Sequence, residues 1–177
     1  MARAYATGGA GATGAGRPLI RTASPADAEA VARVHVVSWR EAYREHLPAD
    51  LLAALSVERR AAFWREHIGN VLVAERDGAV VAFASVGPSD ADASVGQLYA
   101  IYADPEHWRT GAGRALMDSS LDRLRELGFR EAILWVLDGN ERAERFYRLA
   151  GWEREEIFQT EEFGGTPVRE VRYRRSL

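Results

Sequence analysis

Gln97-Leu98-Tyr99-Ala100-Ile101-Tyr102-Ala103 runs directly into Asp104-Pro105-Glu106-His107-Trp108-Arg109-Thr110-Gly111-Ala112-Gly113-Arg114-Ala115-Leu116-Met117. An apolar, aromatic stretch of strand type meets a glycine-bearing turn that opens an amphipathic helix. The N–H groups of a helix's first turn have no intrahelical acceptor, and the helix dipole concentrates positive charge beside them. Gly111 and Gly113 let a ligand come close to that backbone. Arg109 and Arg114 flank the helix start and no acid follows until Asp118; without an anion, such cations cost a helix about 0.3 to 1 kcal/mol. The junction therefore reads as an anion site suited to a pyrophosphate, although an ordinary turn with two solvated arginines has the same spacing.

The flanking sequence supplies the rest of the fold. After the helix marked by Leu116, Met117, Ser120, Leu121, Leu124 and Leu127, Gly128 stands where a C-terminal cap belongs, and Ala132 to Leu137 reads as a strand covered on both faces. Two strands joined through a helix are parallel, with a right-handed crossover. Asn140 to Ala150 reads as a further helix, with Ala143, Phe146, Tyr147 and Ala150 inward, and two strand-like runs surround Gly164-Gly165. Upstream, Ser24-Pro25-Ala26-Asp27 starts a helix that buries Val31, Val34, His35 and Ser38 and ends before Pro48. A second helix begins at Ser56, with Ala61, Trp64 and Ile68 at helical spacing. Val71 to Arg76 and Ala79 to Val86 flank Asp77-Gly78, a two-residue hairpin signal, and Gly87-Pro88-Ser89-Asp90 breaks the chain before a strand near Ser94. The fold class is thus α/β (α+β).

Composition removes several chemistries. The chain has 177 residues and no Cys, which excludes thiol nucleophiles, thiolate zinc sites and disulfides. It has no Lys either, so its 23 basic side chains are all Arg, and the lysines of P-loop enzymes, protein kinases and Schiff-base catalysts are missing. A net charge of -3 argues against a general nucleic-acid binder, and no polybasic membrane patch is present. Residues 1–17 are rich in Ala and Gly and read as a disordered tail; residues 18–177 read as one domain. The four histidines show no metal-ligand spacing, so no metal is expected. A dinucleotide-binding fold would need a third glycine where Leu116 stands.

From about Leu19 to Leu177 these motifs resemble the GCN5-related N-acetyltransferases. The family's motif is Gln or Arg, two residues, Gly, one residue, then Gly or Ala; here Trp108 takes the first position, ahead of Gly111 and Gly113. Asn140 and Tyr147, seven residues apart on the last helix, resemble the family's coenzyme-contacting Asn and general-acid Tyr. The resemblance implies a mixed, mostly antiparallel sheet with helices on both faces, in which Gln97–Ala103 carries a bulge and splays from Ala132–Leu137. It also implies acetyl-CoA as co-substrate, its pantetheine arm pairing with main chain around Ile101, Tyr102 and Ala103 and its pyrophosphate held by Arg109, Thr110, Gly111, Ala112, Gly113 and Arg114. An amine of a small molecule or peptide would attack the thioester directly, with Tyr147 protonating the leaving thiolate; a cytoplasmic location and a homodimer also fit.

No general base stands out, because the strand positions comparable to the family's carboxylates hold Gln97 and Trp135. An alkylammonium of pKa about 10.4 costs about 4 kcal/mol to deprotonate at neutrality, an α-amine near 8 only about 1.4. The expectation is water-relayed proton loss or a preference for amines of low pKa. Trp39, Tyr43, Trp64, Tyr99 and Tyr102 either line an acceptor pocket or fill the core. Two other readings remain: an acyl-CoA sensor without chemistry, and an interaction module built on Arg169, Arg172, Arg174 and Arg175.

Overall fold

In the computed structural model, which describes residues 17–177, Asp77 and Gly78 lie at φ 51° and 77°. That left-handed pair matches the twist of the strands it joins, and β2 (Val71–Arg76) pairs antiparallel with β3 (Ala79–Pro88). The stretch read as a disordered tail lies, apart from Arg17, outside the described residues. β1 (Leu19–Thr22), β4 (Gly96–Ala103), β5 (Glu131–Leu137), β6 (Glu153–Phe163) and β7 (Thr166–Ser176) complete one sheet of order β1-β2-β3-β4-β5-β7-β6. Only β4 and β5 are parallel neighbours; the mixed, mostly antiparallel sheet expected from the sequence is present.

Helices cover both faces. α1 (Ala28–Ala42) and α3 (Val57–His67) bury Val31, Val34, Ala61 and Trp64 against Val71, Val73 and Phe83. α4 (Ala112–Glu126) and α5 (Glu141–Leu149) cover the opposite face, where Leu116, Met117, Leu121 and Leu124 meet Ala132, Leu134 and Val136. The start of α1 follows its sequence signal: the Asp27 carboxylate accepts from the Ser24 amide at 2.7 Å and from its hydroxyl at 2.9 Å. None of the helices is long and apolar enough to cross a membrane among the described residues.

Three local readings are corrected. β3 continues through Gly87 and Pro88, because Pro88 sits at the strand end opposite Gly96 and removes only a terminal donor. Leu127 is 38% exposed rather than inward, since it caps α4 where the chain turns away. α2 (Ala49–Ala53) is an unanticipated single turn, five residues being too few for a periodic pattern; Arg40 and Arg59 donate to the carbonyls of Leu52 and Ala54 at 3.2 and 2.7 Å.

Two expected outcomes follow from packing and burial. A Cβ on Gly96 would stand 2.8 Å from Leu124 Cδ2 and 3.1 Å from the Phe129 ring, so Gly96→Val should lower stability by about 1 to 3 kcal/mol by overpacking; an unchanged urea midpoint would contradict this. His35 is 7% exposed, and burial, reinforced by the Arg60 charge, pulls its pKa down to about 3. The unfolded chain binds that proton near pH 6.5 and the folded chain does not, so this residue erodes stability as pH falls from about 6.5 toward 3, by up to about 1.4 kcal/mol per unit. His35→Gln should flatten the pH dependence of denaturation in that window; equal slopes in both proteins would count against it.

Candidate active site

β4 and β5 pair only at Gly96–Ala132 and Gln97–Ile133 and then diverge. The cause is visible on the other edge of β4. Val86 pairs with Leu98 and Ser85 with Ala100, so Tyr99 is an extra residue, a bulge that bends the strand. The bulge also inverts the alternation of side chains: Leu98, Ile101 and Ala103 face the α4 side, whereas Ala100 and Tyr102 face the α1 and α3 side. Beyond the bulge β4 thus has one edge turned toward an open cleft of about 1950 Å³.

At the end of β4 the Ala103 carbonyl accepts hydrogen bonds from Ser38 Oγ and Trp108 Nε1, both at 2.8 Å. Its acceptor capacity is used within the protein. Trp108, which replaces the family's polar residue, also packs beneath the Arg142 guanidinium, 3.6 Å from its ring centroid. It ties the turn to both β4 and α5.

The turn itself is strained in one place. Arg109 lies at φ 63°, in the left-handed region that a residue with a Cβ occupies at a cost, and Gly111 at 91°. Arg76 donates to the Thr110 carbonyl at 3.1 Å and the Thr110 hydroxyl to the His107 carbonyl at 2.7 Å, fixing the turn from behind. No side chain caps α4 and no acid lies in its first turn; the Ala115 amide is bonded to the Gly111 carbonyl at 3.0 Å. Gly113 has no reason within the fold to lack a side chain, because a Cβ there would meet only the Phe146 ring at 3.8 Å.

Arg109, Gly111, Gly113 and Arg114 line the cleft. The Thr110 side chain is spent in the turn, and Ala112 is buried in the core. Arg114 is shared with Asp118 at 3.2 Å, an exposed pair of little strength.

α5 closes the cleft. Asn140 is its N-cap, accepting from the Ala143 amide at 3.2 Å, and is 6% exposed. Glu144 is buried and anchors the helix by accepting from Tyr173 Oη at 2.9 Å, the Gly139 amide at 3.1 Å and both Arg148 and Arg154 at 3.3 Å. Burial opposes its charge, but these donors hold its pKa below the ordinary carboxylate value. One turn further on, Tyr147 lines the cleft between the splayed strands. Burial, with Tyr102 and Glu170 nearby, pushes its pKa above the phenol value, so the hydroxyl keeps its proton.

Opposite Tyr147 lies a wall of aromatic and acidic groups. The Tyr43 and Tyr102 hydroxyls are 3.2 Å apart, and Trp39 stacks edge-on against both Tyr43 and Phe163 with centroids 5.0 and 5.1 Å away. Trp39 and Trp64 fill core and also line the cleft. Glu170, unanticipated from the sequence, stands on β7 opposite Leu137 of β5 and accepts from Gln159 Nε2 at 2.7 Å. Burial raises its pKa, aided by Glu161 and opposed by the Gln159 bond, and its charge reaches Tyr43, Tyr102 and Tyr147. Its signal was hidden because β7, not β6, lies beside β5, and sequence proximity gives no hint of that order.

Three of the four arginines named on β7 have partners. Arg172 and Arg174 pair with Glu155, Arg174 also with Glu131 at 2.7 Å, and Arg169 lies 3.8 Å from the Phe158 centroid. Arg175 forms no hydrogen bond or ion pair among the described residues, so a docking surface on this strand keeps one free cation.

Known proteins share this fold. Residues 29–152 match the model of the Acetyltransferase (GNAT) family. The N-acetyltransferase YuaI of Bacillus subtilis, itself uncharacterized, is 38% identical over 125 residues, 68% of this chain and 72% of that protein. A mycothiol acetyltransferase of Propionibacterium freudenreichii is 33% identical over 95 residues, 53% of this chain but only 30% of that longer protein. In structure, the PaiA N-acetyltransferase of Thermoplasma acidophilum, solved with coenzyme A, superposes with a TM-score of 0.72 at 18% identity, over 90% of this chain and 99% of that one. Ribosomal-protein-alanine N-acetyltransferase of Brucella melitensis does so with a TM-score of 0.69 at 25% identity, over 90% and 99%. The chain belongs to the GNAT family of acetyltransferases.

Proposed function

We propose that residues 18–177 act as one domain that transfers the acetyl group of acetyl-CoA to a primary amine by direct attack, with both substrates bound together. The observation that carries this reading is the coincidence of two openings on one cleft: β4 parts from β5 after Gln97–Ile133, and the uncapped first turn of α4 stands beside the gap.

The residues fit coenzyme A. Unpaired N–H groups at positions 112 to 114, with Arg109 and Arg114, suit its pyrophosphate. Gly113, which nothing in the fold requires, leaves the close approach that such a ligand needs. The opened edge of β4 offers the main-chain groups of Ile101 and the amide of Ala103 to the amide-bearing arm, those of Tyr102 facing Phe83 of β3, and Asn140 borders it. Bound acetyl-CoA supplies an activated acetyl group as a thioester.

Within that frame, the Tyr147 hydroxyl holds the proton that neutralises the leaving thiolate. Glu170, whose burial makes it a stronger base than a solvated carboxylate, takes the proton of the acceptor ammonium. This supplies the base missing from the strand positions Gln97 and Trp135, and it removes the main support for a non-catalytic sensor. A proton accepted at Glu170 also lifts the expected restriction to amines of low pKa.

Calorimetry with acetyl-CoA should show one site per chain, and absence of binding would overturn the reading. Gly113→Ala should leave thermal stability equal or higher, because Ala suits a helix better than Gly by up to about 1 kcal/mol, and acetyl-CoA binding within a few-fold, Ala being the motif's alternative here, whereas the bulkier Gly113→Val should weaken binding at least tenfold; equal affinity in Gly113→Val would contradict the close approach. Tyr147→Phe and Glu170→Gln should each lower kcat/KM at pH 7 by about 10²-fold or more. The Glu170→Gln deficit should shrink as pH approaches about 10, where an alkylamine deprotonates unaided. A deficit independent of pH would argue against Glu170 as the base.

A further inference from the structure

The arginines around the mouth of α3 are not equivalent. Arg40 donates to the carbonyls of Leu52 and Leu55 at 3.2 and 2.9 Å, and Arg59 to that of Ala54 at 2.7 Å. Arg60 lies half-buried with its guanidinium carbon 6.0 and 5.8 Å from the Trp39 and Phe63 ring centroids. Its side chain forms no hydrogen bond or ion pair among the described residues, and burial, opposed only by Tyr102, lowers its pKa without any compensating carboxylate. A desolvated cation without a counter-ion is costly in a fold that has no use for it.

Two further donors stand in the same wall. Trp64 Nε1 donates to His35 Nδ1 at 3.2 Å, so the proton of the neutral imidazole is on Nε2. That Nε2–H is buried without a hydrogen-bond partner, and the Trp39 indole N–H has only the Tyr102 hydroxyl near it, on side chains 7% and 8% exposed. The two rings are 5.4 Å apart, Arg60 acts electrostatically on His35, and all three residues line the cleft. The Arg60 guanidinium, the Trp39 indole and the remaining Nε2–H of His35 can donate but cannot accept. Their complement is an anion.

The opposite pole of the cleft is acidic, with Glu170 half-buried and Glu161 exposed at the rim. Arg60, Tyr102 and Glu170 all line this one cleft, with Trp39 and Phe163 in its aromatic wall. Resting on the reading of the cleft as an N-acetyltransferase site, we propose that the acceptor is a zwitterion with an apolar body, a free amino acid or small amino-carboxylate. Its amine is directed to Glu170 and its carboxylate to Arg60, backed by Trp39 and His35.

The test separates this subsite from the chemistry. Calorimetry of the full chain should show 3-phenylpropionate binding at least tenfold more tightly than 3-phenylpropan-1-ol, a neutral compound of the same shape. Arg60→Gln should erase the difference and Arg60→Lys retain most of it, while all three proteins bind acetyl-CoA alike. In turnover, L-phenylalanine should exceed phenethylamine at least tenfold in kcat/KM. Arg60→Gln should remove that preference by raising KM for phenylalanine, leaving kcat with phenethylamine unchanged. Equal binding of acid and alcohol, or an Arg60→Gln variant that lowers both acceptors equally, would overturn the subsite. Loss of acetyl-CoA binding in the wild-type chain together with Arg60-dependent carboxylate binding would overturn the acetyltransfer reading and support the subsite.

Discussion

The separation of β4 from β5 is the constraint on which the rest of the site depends. A parallel pair that stayed hydrogen-bonded along its length would fill the space between α4 and α5 with backbone, and no cleft would exist. One inserted residue, Tyr99, prevents this by bending β4 and reversing which face its later side chains take. The same inversion places Ile101 and Ala103 toward α4, whose N-terminus borders the cleft, and Tyr102 toward the aromatic wall. Gly96 works on the other side of the divergence, where Leu124 and Phe129 pack close enough to demand a residue without a side chain.

The cleft has a division of labour in its charge. On the α4 side the donors are mainly main-chain groups at a helix end, suited to a phosphate whose position is set by backbone geometry. On the α3 and β7 side the groups are side chains held in aromatic surroundings, where low polarity strengthens each charge and keeps the tyrosine hydroxyls protonated. Glu144 shows the contrasting structural use of a buried acid. Its partners, Tyr173, the Gly139 amide, Arg148 and Arg154, meet its hydrogen-bonding capacity, leaving it to hold α5 in place.

Much of this was legible in the chain. The junction at residues 97–117, the Asp77-Gly78 hairpin, the inward faces of α1, α3 and α5, and the cleft positions of Asn140 and Tyr147 all follow from local rules of periodicity, turns and caps, aided for the last pair by a family resemblance. What stayed hidden depends on long-range pairing. Glu170 is one charged residue among several on an alternating strand, and nothing nearby in sequence says that β7 inserts between β5 and β6. Arg60 looks identical to Arg59 until α2 forms and takes one of them to its carbonyl end. Trp108 breaks the motif in sequence, yet its indole hydrogen bond to Ala103 and its contact with Arg142 explain it as a brace for the turn.

The central claim is that the diverging half of β4 and the first turn of α4 receive one extended ligand. Amide hydrogen exchange, followed with and without coenzyme A, tests it directly. Protection should rise together at residues 100–103 and 109–114, with smaller changes in β1 and β2. Coenzyme A binding that left those two segments unchanged, or protected them independently at different concentrations, would contradict the account.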